Sequence, residues 1–174
     1  MLYMIGIIFV VLLKFVIPVL MLWWPIAAVW ANYVLDTVDG DILGSLGLSN
    51  APYQLIDKTA DYWSYIFMVL VARHWHIRRT VYVLFAYRTI GQVLFFATGN
   101  ELVFFYFQNF LEPLMLIYVL LIWRAGSENR AYSLYRRHIL LIWAIIILYK
   151  LWNEWYLHYA NIDLSTLLFG VSGN

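Results

Sequence analysis

Between Leu2 and Leu22 the chain carries a single charged side chain, Lys14. About 20 apolar residues are enough to cross a bilayer as a helix, and runs of that length recur along the sequence. They predict six spans, at about Leu2 to Leu22, Pro25 to Leu43, Pro52 to Ala72, Thr80 to Thr98, Leu102 to Trp123 and His138 to Leu157. A rival parsing of the first two turns earlier, between Lys14 and Pro18. Charged residues make up 12% of the chain and hydrophobic ones 64%, whereas a soluble domain carries about 25% charged residues. The expected fold is therefore an all-α integral membrane protein, six transmembrane helices in one bundle, with residues 1–174 as one domain. Met1 to Leu13 lacks a cationic lead-in and a small-residue cleavage site, so it reads as a retained helix. Trp23-Trp24 reads as an interfacial belt. The tail, with Asn161, Asp163 and Gly170, contains an apolar stretch from Leu164 to Phe169 that is too short to span. With no cysteine, disulfides, thiolate metal sites and Cys nucleophiles are excluded. No basic block or Gly-rich phosphate loop points to nucleic acid.

Against this apolar background the acidic residues are strongly clustered. Of six aspartates, five (Asp36, Asp39, Asp41, Asp57 and Asp61) fall within 26 residues, at the junction of the second and third predicted spans. A charge at bilayer depth costs about 2.5 kcal/mol or more, so several carboxylates together need shared positive charge. Asn32, Asp36 and Asp39 stand at i, i+4 and i+7 on one helical face. Gln54, Asp57, Asp61 and Ser64 do the same on the next helix. Two helices joined by the short Gly44–Asn50 loop can set two carboxylates against two others, a cage at about residues 32–64 for one or two divalent cations. Gly40 leaves the backbone beside the cage open to a ligand. Two such cations can clamp a phosphate between attacking and leaving oxygens.

Counted from Asp36, the acidic positions fall at +3, +21 and +25, with Gly40 at +4. This pattern resembles the CDP-alcohol phosphotransferase (phosphatidyltransferase) family, whose signature is D-x2-D-G-x2-A-R-x8-G-x3-D-x3-D. The motif covers 26 residues, and the family's six transmembrane helices match the predicted architecture. The resemblance implies that Asp36, Asp39, Asp57 and Asp61 hold two divalent cations, Mg2+ or Mn2+, and that Asp61 is the general base on an alcohol acceptor. It implies a transferase that moves a phospho-alcohol or phosphatidyl group to a small alcohol or lipid acceptor, in lipid synthesis or head-group modification. Membrane lipid and a second copy of the chain are the implied partners. The Ala-Arg pair of the signature falls on Leu43-Gly44 and its second glycine on Tyr53. Those positions shape the family's nucleotide pocket, so the metal half of the signature matches while the donor need not be CDP-linked. The alternative is a catalytically reduced relative that serves as a structural or assembly subunit of a membrane complex.

Other polar residues lie within the predicted spans. Arg88 and Gln92 are one turn apart in the fourth, and Gln108, Asn109 and Glu112 lie in the fifth. Arg88 and Glu112 are expected to pair, either as a structural bridge or with Arg88 binding a substrate phosphate that Glu112 helps to position. Asp41 and Lys58 are further candidates for substrate contact. Lys14 either snorkels to an interface or faces the acidic cage. Lys150 and Glu154, at i and i+4, are expected to pair beside Asn153. His74, His76, His138 and His158 show no convergent metal spacing, and His74 and His76 read as interfacial. The loops opposite the aspartates carry seven arginines, among them Arg73, Arg78 and Arg79, against only Lys58 on the aspartate side. Positive charge stays cytoplasmic, which points the aspartate loop away from the cytoplasm.

Overall fold

The computed structural model describes the backbone of residues 2–100 and 102–158, and the side chains of residues 3–100 and 102–152. The tail and the side chains of Asn153, Glu154 and His158 lie outside the described residues. Every regular element of the described residues is a helix: α1 (Leu2–Leu20), α2 (Pro25–Ser45), α3 (Asn50–Ala72), α4 (Arg78–Thr98), α5 (Val103–Tyr106), α6 (Leu111–Ala125), α7 (Glu128–Arg137) and α8 (Ile139–His158).

Local chemistry explains the boundaries. Pro25 opens α2 at a position whose N–H would have no helical partner. Gly99 and Gly126 end α4 and α6 in the left-handed conformation, each donating its N–H four residues back. The first two helices follow the parsing that turns at Trp23-Trp24, and α1 runs through Pro18.

Two expectations are corrected. The fifth predicted span is broken into α5 and α6, with a non-helical link at 107–110. Gln108 and Asn109 sit in that link, and Asn109 Oδ1 accepts the N–H of Glu112 at 3.2 Å, capping α6. Carbonyls at the break are taken by α4: Arg88 donates to the Phe107 oxygen at 2.6 Å, and the Tyr87 hydroxyl donates to that of Tyr106 at the end of α5. A broken helix is tolerated in an apolar setting only when its freed backbone groups find such partners. The arginine-bearing loop expected between the fifth and sixth spans contains a helix, α7, which meets α8 at an 80° bend.

Two described helices, α1 and α4, are long and apolar enough to cross a membrane, and α7 with α8 counts as a third if the bent pair is one span. That is fewer than the six expected. Each of α2 and α3 carries three charged side chains, and α6 has 15 residues. The apolar exterior is extensive all the same, with Val83, Leu140 and Leu148 each more than 60% exposed.

The core gathers around α6, whose Leu111, Leu114, Met115, Tyr118 and Val119 are fully buried. Met21, Val29, Met68, Val81 and Ile146 close over it from α2, α3, α4 and α8 and from the α1–α2 turn. On the far side of α2 and α3 lies α1, packed against both. Trp63 on α3 donates its indole N–H to the Phe15 carbonyl at 3.1 Å, one turn before Pro18, pinning α3 to the middle of α1.

The α4–link contact leaves no room for added atoms. A Cβ on Gly91 would press on the Phe107 Cβ. Alanine raises helix propensity by about 1 kcal/mol over glycine, but overpacking costs about 1–3 kcal/mol. Gly91→Ala should therefore lower the melting temperature in detergent. Gly44→Ala, with nothing within 4 Å of the added methyl, should leave it unchanged or raise it.

Candidate metal centre

The helical spacing of the aspartates brings α2 and α3 together acid to acid. Asp36, Asp39 and Asp57 each place one carboxylate oxygen within 4.8 Å of the others. Asp39 is fully buried and Asp57 nearly so. The third helix supplies the counter-charge. Lys14, 5% exposed in the middle of α1, puts its ammonium at the centre of the triad. It donates to Asp57 Oδ1 at 2.5 Å, to Asp36 Oδ1 at 3.2 Å and, closest of all, to Asp39 Oδ2. Lys14 thus faces the cage and does not snorkel.

Asp61 stands one turn beyond Asp57 and joins the cluster through Lys58. The Lys58 ammonium lies 2.7 Å from Asp57 Oδ2 and 3.6 Å from Asp61 Oδ2. Asp57 therefore divides its two oxygens between two cations, Lys14 on one and Lys58 on the other. Four carboxylates face two ammonium groups. Asp41 is exposed and lies outside the cluster.

Gly40 does leave space beside the cage, but a side chain of the same protein fills it. A Cβ at Gly40 would stand 2.9 Å from the Tyr53 hydroxyl oxygen, and that hydroxyl reaches Asp39 Oδ1 at 3.4 Å. The tyrosine at the signature's second glycine position is thus accommodated by the first glycine. Its part in the cluster was readable from spacing, since Tyr53, Asp57 and Asp61 are four residues apart on one face of α3.

Arg88 and Glu112 form no ion pair among the described residues. The break before α6 gives each a different partner. One guanidinium N–H of Arg88 is held by the Phe107 carbonyl, and the group lies 4.1 Å from the centre of the Phe104 ring. Its Nε has no hydrogen-bond partner despite being buried. Glu112 accepts from Asn109 Nδ2 at 3.3 Å, and the same amide donates to the Tyr65 hydroxyl at 2.9 Å. Arg88 still belongs to the surroundings of the cage, because the Lys58 ammonium lies 5.6 Å from the same Phe104 ring. Gln92, which the sequence placed only as Arg88's neighbour, donates to the Lys58 carbonyl at 2.6 Å, while its own oxygen is buried without a partner. Lys150 is buried on α8.

The donor set suits hard divalent cations, which take carboxylate oxygens. The positions where aspartates converge are taken by the two ammonium groups: Lys14 meets Asp36, Asp39 and Asp57, and Lys58 meets Asp57 and Asp61. Protein-family models, curated proteins and solved structures were each compared with the chain, and none matches.

Removing one partner of a buried ion cluster costs about 3–5 kcal/mol, because it strands the opposite charges. Lys14→Met should destabilise the protein by that order. Lys14→Met/Asp39→Asn should recover part of the loss, which a double-mutant cycle on thermal or denaturant unfolding would measure. Additive effects of the two substitutions would show that the pair is not coupled.

Proposed function

We propose that the protein is a membrane-embedded, divalent-metal-dependent phosphotransferase that moves a phospho-alcohol or phosphatidyl group to an alcohol acceptor. In this reading α1, α2, α3, α4, the α5–α6 pair and α8 are the six spans of one bundle. The charged faces of α2 and α3 turn toward each other and toward α1, so lipid meets their apolar faces. The observation that carries the reading is the division of Asp57 between two cation positions, Lys14 at 2.5 Å and Lys58 at 2.7 Å. A carboxylate shared by two neighbouring cation positions supports a site for two metals, which together can clamp the attacking and leaving oxygens of a phosphoryl transfer.

Asp36, Asp39 and Asp57 would hold one cation and Asp57 with Asp61 the other, the lysines swinging aside on flexible stems. Bound there, Mg2+ or Mn2+ would neutralise the donor phosphate and stabilise the attacking and leaving oxygens. Asp61 would take the proton from the acceptor hydroxyl. That oxygen then bonds to phosphorus, and the bond from phosphorus to the donor's leaving oxygen breaks. Arg88 has a buried Nε free to donate to a phosphate oxygen. Tyr53 and the absence of an arginine at position 44 favour a donor without a cytidine nucleotide, such as a phospholipid at the outer face. The charge asymmetry of the loops agrees with that side of the membrane.

A second reading is favoured by Lys14 itself. A tethered ammonium that already neutralises the triad can replace a metal permanently, leaving a structural or assembly subunit with no turnover. Titration of the purified protein with Mn2+ separates the two. The transferase reading expects saturable binding that Asp36→Asn and Asp39→Asn weaken strongly and Lys14→Met leaves intact or tightens. The structural reading expects no saturable binding in the native protein.

Asp61→Asn should lower turnover by about 10²–10⁴-fold, the usual contribution of a general base, and should weaken metal binding less than Asp36→Asn or Asp39→Asn does. Full activity in Asp61→Asn would remove the assigned role.

A further inference from the structure

The far end of α3 carries the opposite charge. Thirteen positions separate Asp61 from His74, roughly 20 Å at 1.5 Å per helical residue. There His74, Trp75, His76, Arg78, Arg79 and Tyr132 line a cavity of about 360 Å³ between the α3–α4 turn and α7.

One wall of this cavity is firmly set. The His76 ring stacks on Tyr132, with centroids 4.8 Å apart. The His76 backbone N–H donates to Glu128 Oε1 at 2.8 Å, and its ring Nδ1 lies 2.5 Å from Oε2. Glu128 also accepts from the buried Tyr118 hydroxyl at 2.5 Å, which ties the cavity to the core around α6. Both oxygens of Glu128, which lies behind this wall, are thereby engaged. Among the described residues, no hydrogen bond or ion pair engages the side chains of Arg78 and Arg79. A preformed, concave, aromatic-walled site with two uncommitted guanidinium groups suits a phosphate, since guanidinium matches phosphate oxygens in a planar fork.

The surface below the arginines decides what carries that phosphate. Arg78 and Arg79 are the first residues of α4, one of the helices long and apolar enough to cross a membrane. From Arg79 the spacing 4, 3, 4, 3 reaches Val83, Ala86, Ile90 and Val93 on one face of the helix. Val83, Ile90 and Val93 are 68%, 52% and 61% exposed. A basic pocket at the top of an exposed apolar helical track matches an amphiphile with an anionic head, and a soluble anion would use only the pocket.

We propose that this pocket binds the phosphate of an anionic phospholipid, whose acyl chains lie along Val83, Ile90 and Val93. The site is separate from the carboxylate cage and does not depend on what the cage binds.

The test uses the full chain purified from membranes containing phosphatidylglycerol and phosphatidylcholine, with retained lipid read by native mass spectrometry. The native protein should retain phosphatidylglycerol in preference to phosphatidylcholine. Arg78→Gln/Arg79→Gln should reduce that retention about tenfold or more, as the loss of two basic contacts to an anionic lipid implies. Arg124→Gln/Arg130→Gln, which removes two exposed arginines outside the pocket, should leave it unchanged. Val83→Asp, on the apolar track with the pocket intact, should reduce it as well, so the proposal remains testable if the double variant fails to fold. Unchanged retention in Arg78→Gln/Arg79→Gln would overturn the proposal, as would equal loss in both arginine pairs, which would mean diffuse surface charge. Displacement of the lipid by millimolar inorganic phosphate would also overturn it, by showing a site for soluble anions.

Discussion

A lysine ammonium buried in the middle of an apolar helix has to be met by negative charge, and in this protein three aspartates from two other helices meet it. The contact fixes how three helices sit together. With Lys14 on α1, Asp36 and Asp39 on α2 and Asp57 on α3, none of these helices can rotate or slide by a turn without stranding a charge. The penalty for a stranded buried charge is several kcal/mol, larger than what most single apolar contacts contribute. Trp63 reinforces the register from α3 by bonding to the α1 backbone beside Lys14, and the Tyr53–Gly40 contact closes the other side of the cluster.

The same cluster is out of balance by design of its side chains. Four carboxylates share two ammonium groups, and Asp57 serves both. An excess of hard oxygen donors suits divalent cations, and in the proposed function the long flexible lysine stems would carry the ammonium groups aside when such cations bind. This is the physical link between the fold and the proposed phosphotransfer chemistry. The opposite end of α3 is its complement: an arginine- and histidine-lined cavity braced through Glu128 and Tyr118 onto the central helix α6. One helix thus connects an acidic site with a basic one.

Much of the helical organisation was legible in the chain. Apolar runs, Pro25, Gly99 and Gly126 mark helices and their ends by local rules, and the observed helices keep to those marks within a few residues. The 3.6-residue period also put the aspartates on facing stripes, and they do face. The break at 107–110 was missed because Leu102–Trp123 is uniformly apolar apart from Gln108, Asn109 and Glu112, and hydropathy averages over such residues. Helix α7 had a readable signal, with Ser127 at its cap, Glu128 in its first turn and Arg136 and Arg137 in its last. The arginines and the surrounding loop residues instead suggested a plain basic connection. The expected pairing of Arg88 with Glu112 assumed an unbroken fifth span beside the fourth, and the break instead gives Arg88 a backbone carbonyl as its partner.

The sequence by itself determined most of the helices, the apolar exterior and the face on which each aspartate lies, because helix periodicity and end signals act over a few residues; it did not determine the break at 107–110 or helix α7. Only the tertiary structure decided which cation meets the aspartates, how Tyr53 fits where a glycine was expected, and which group takes Arg88. Those outcomes depend on the distance and rotation between helices far apart in the chain. Lys14 and Asp57 are 43 residues apart, and no local pattern states that they touch.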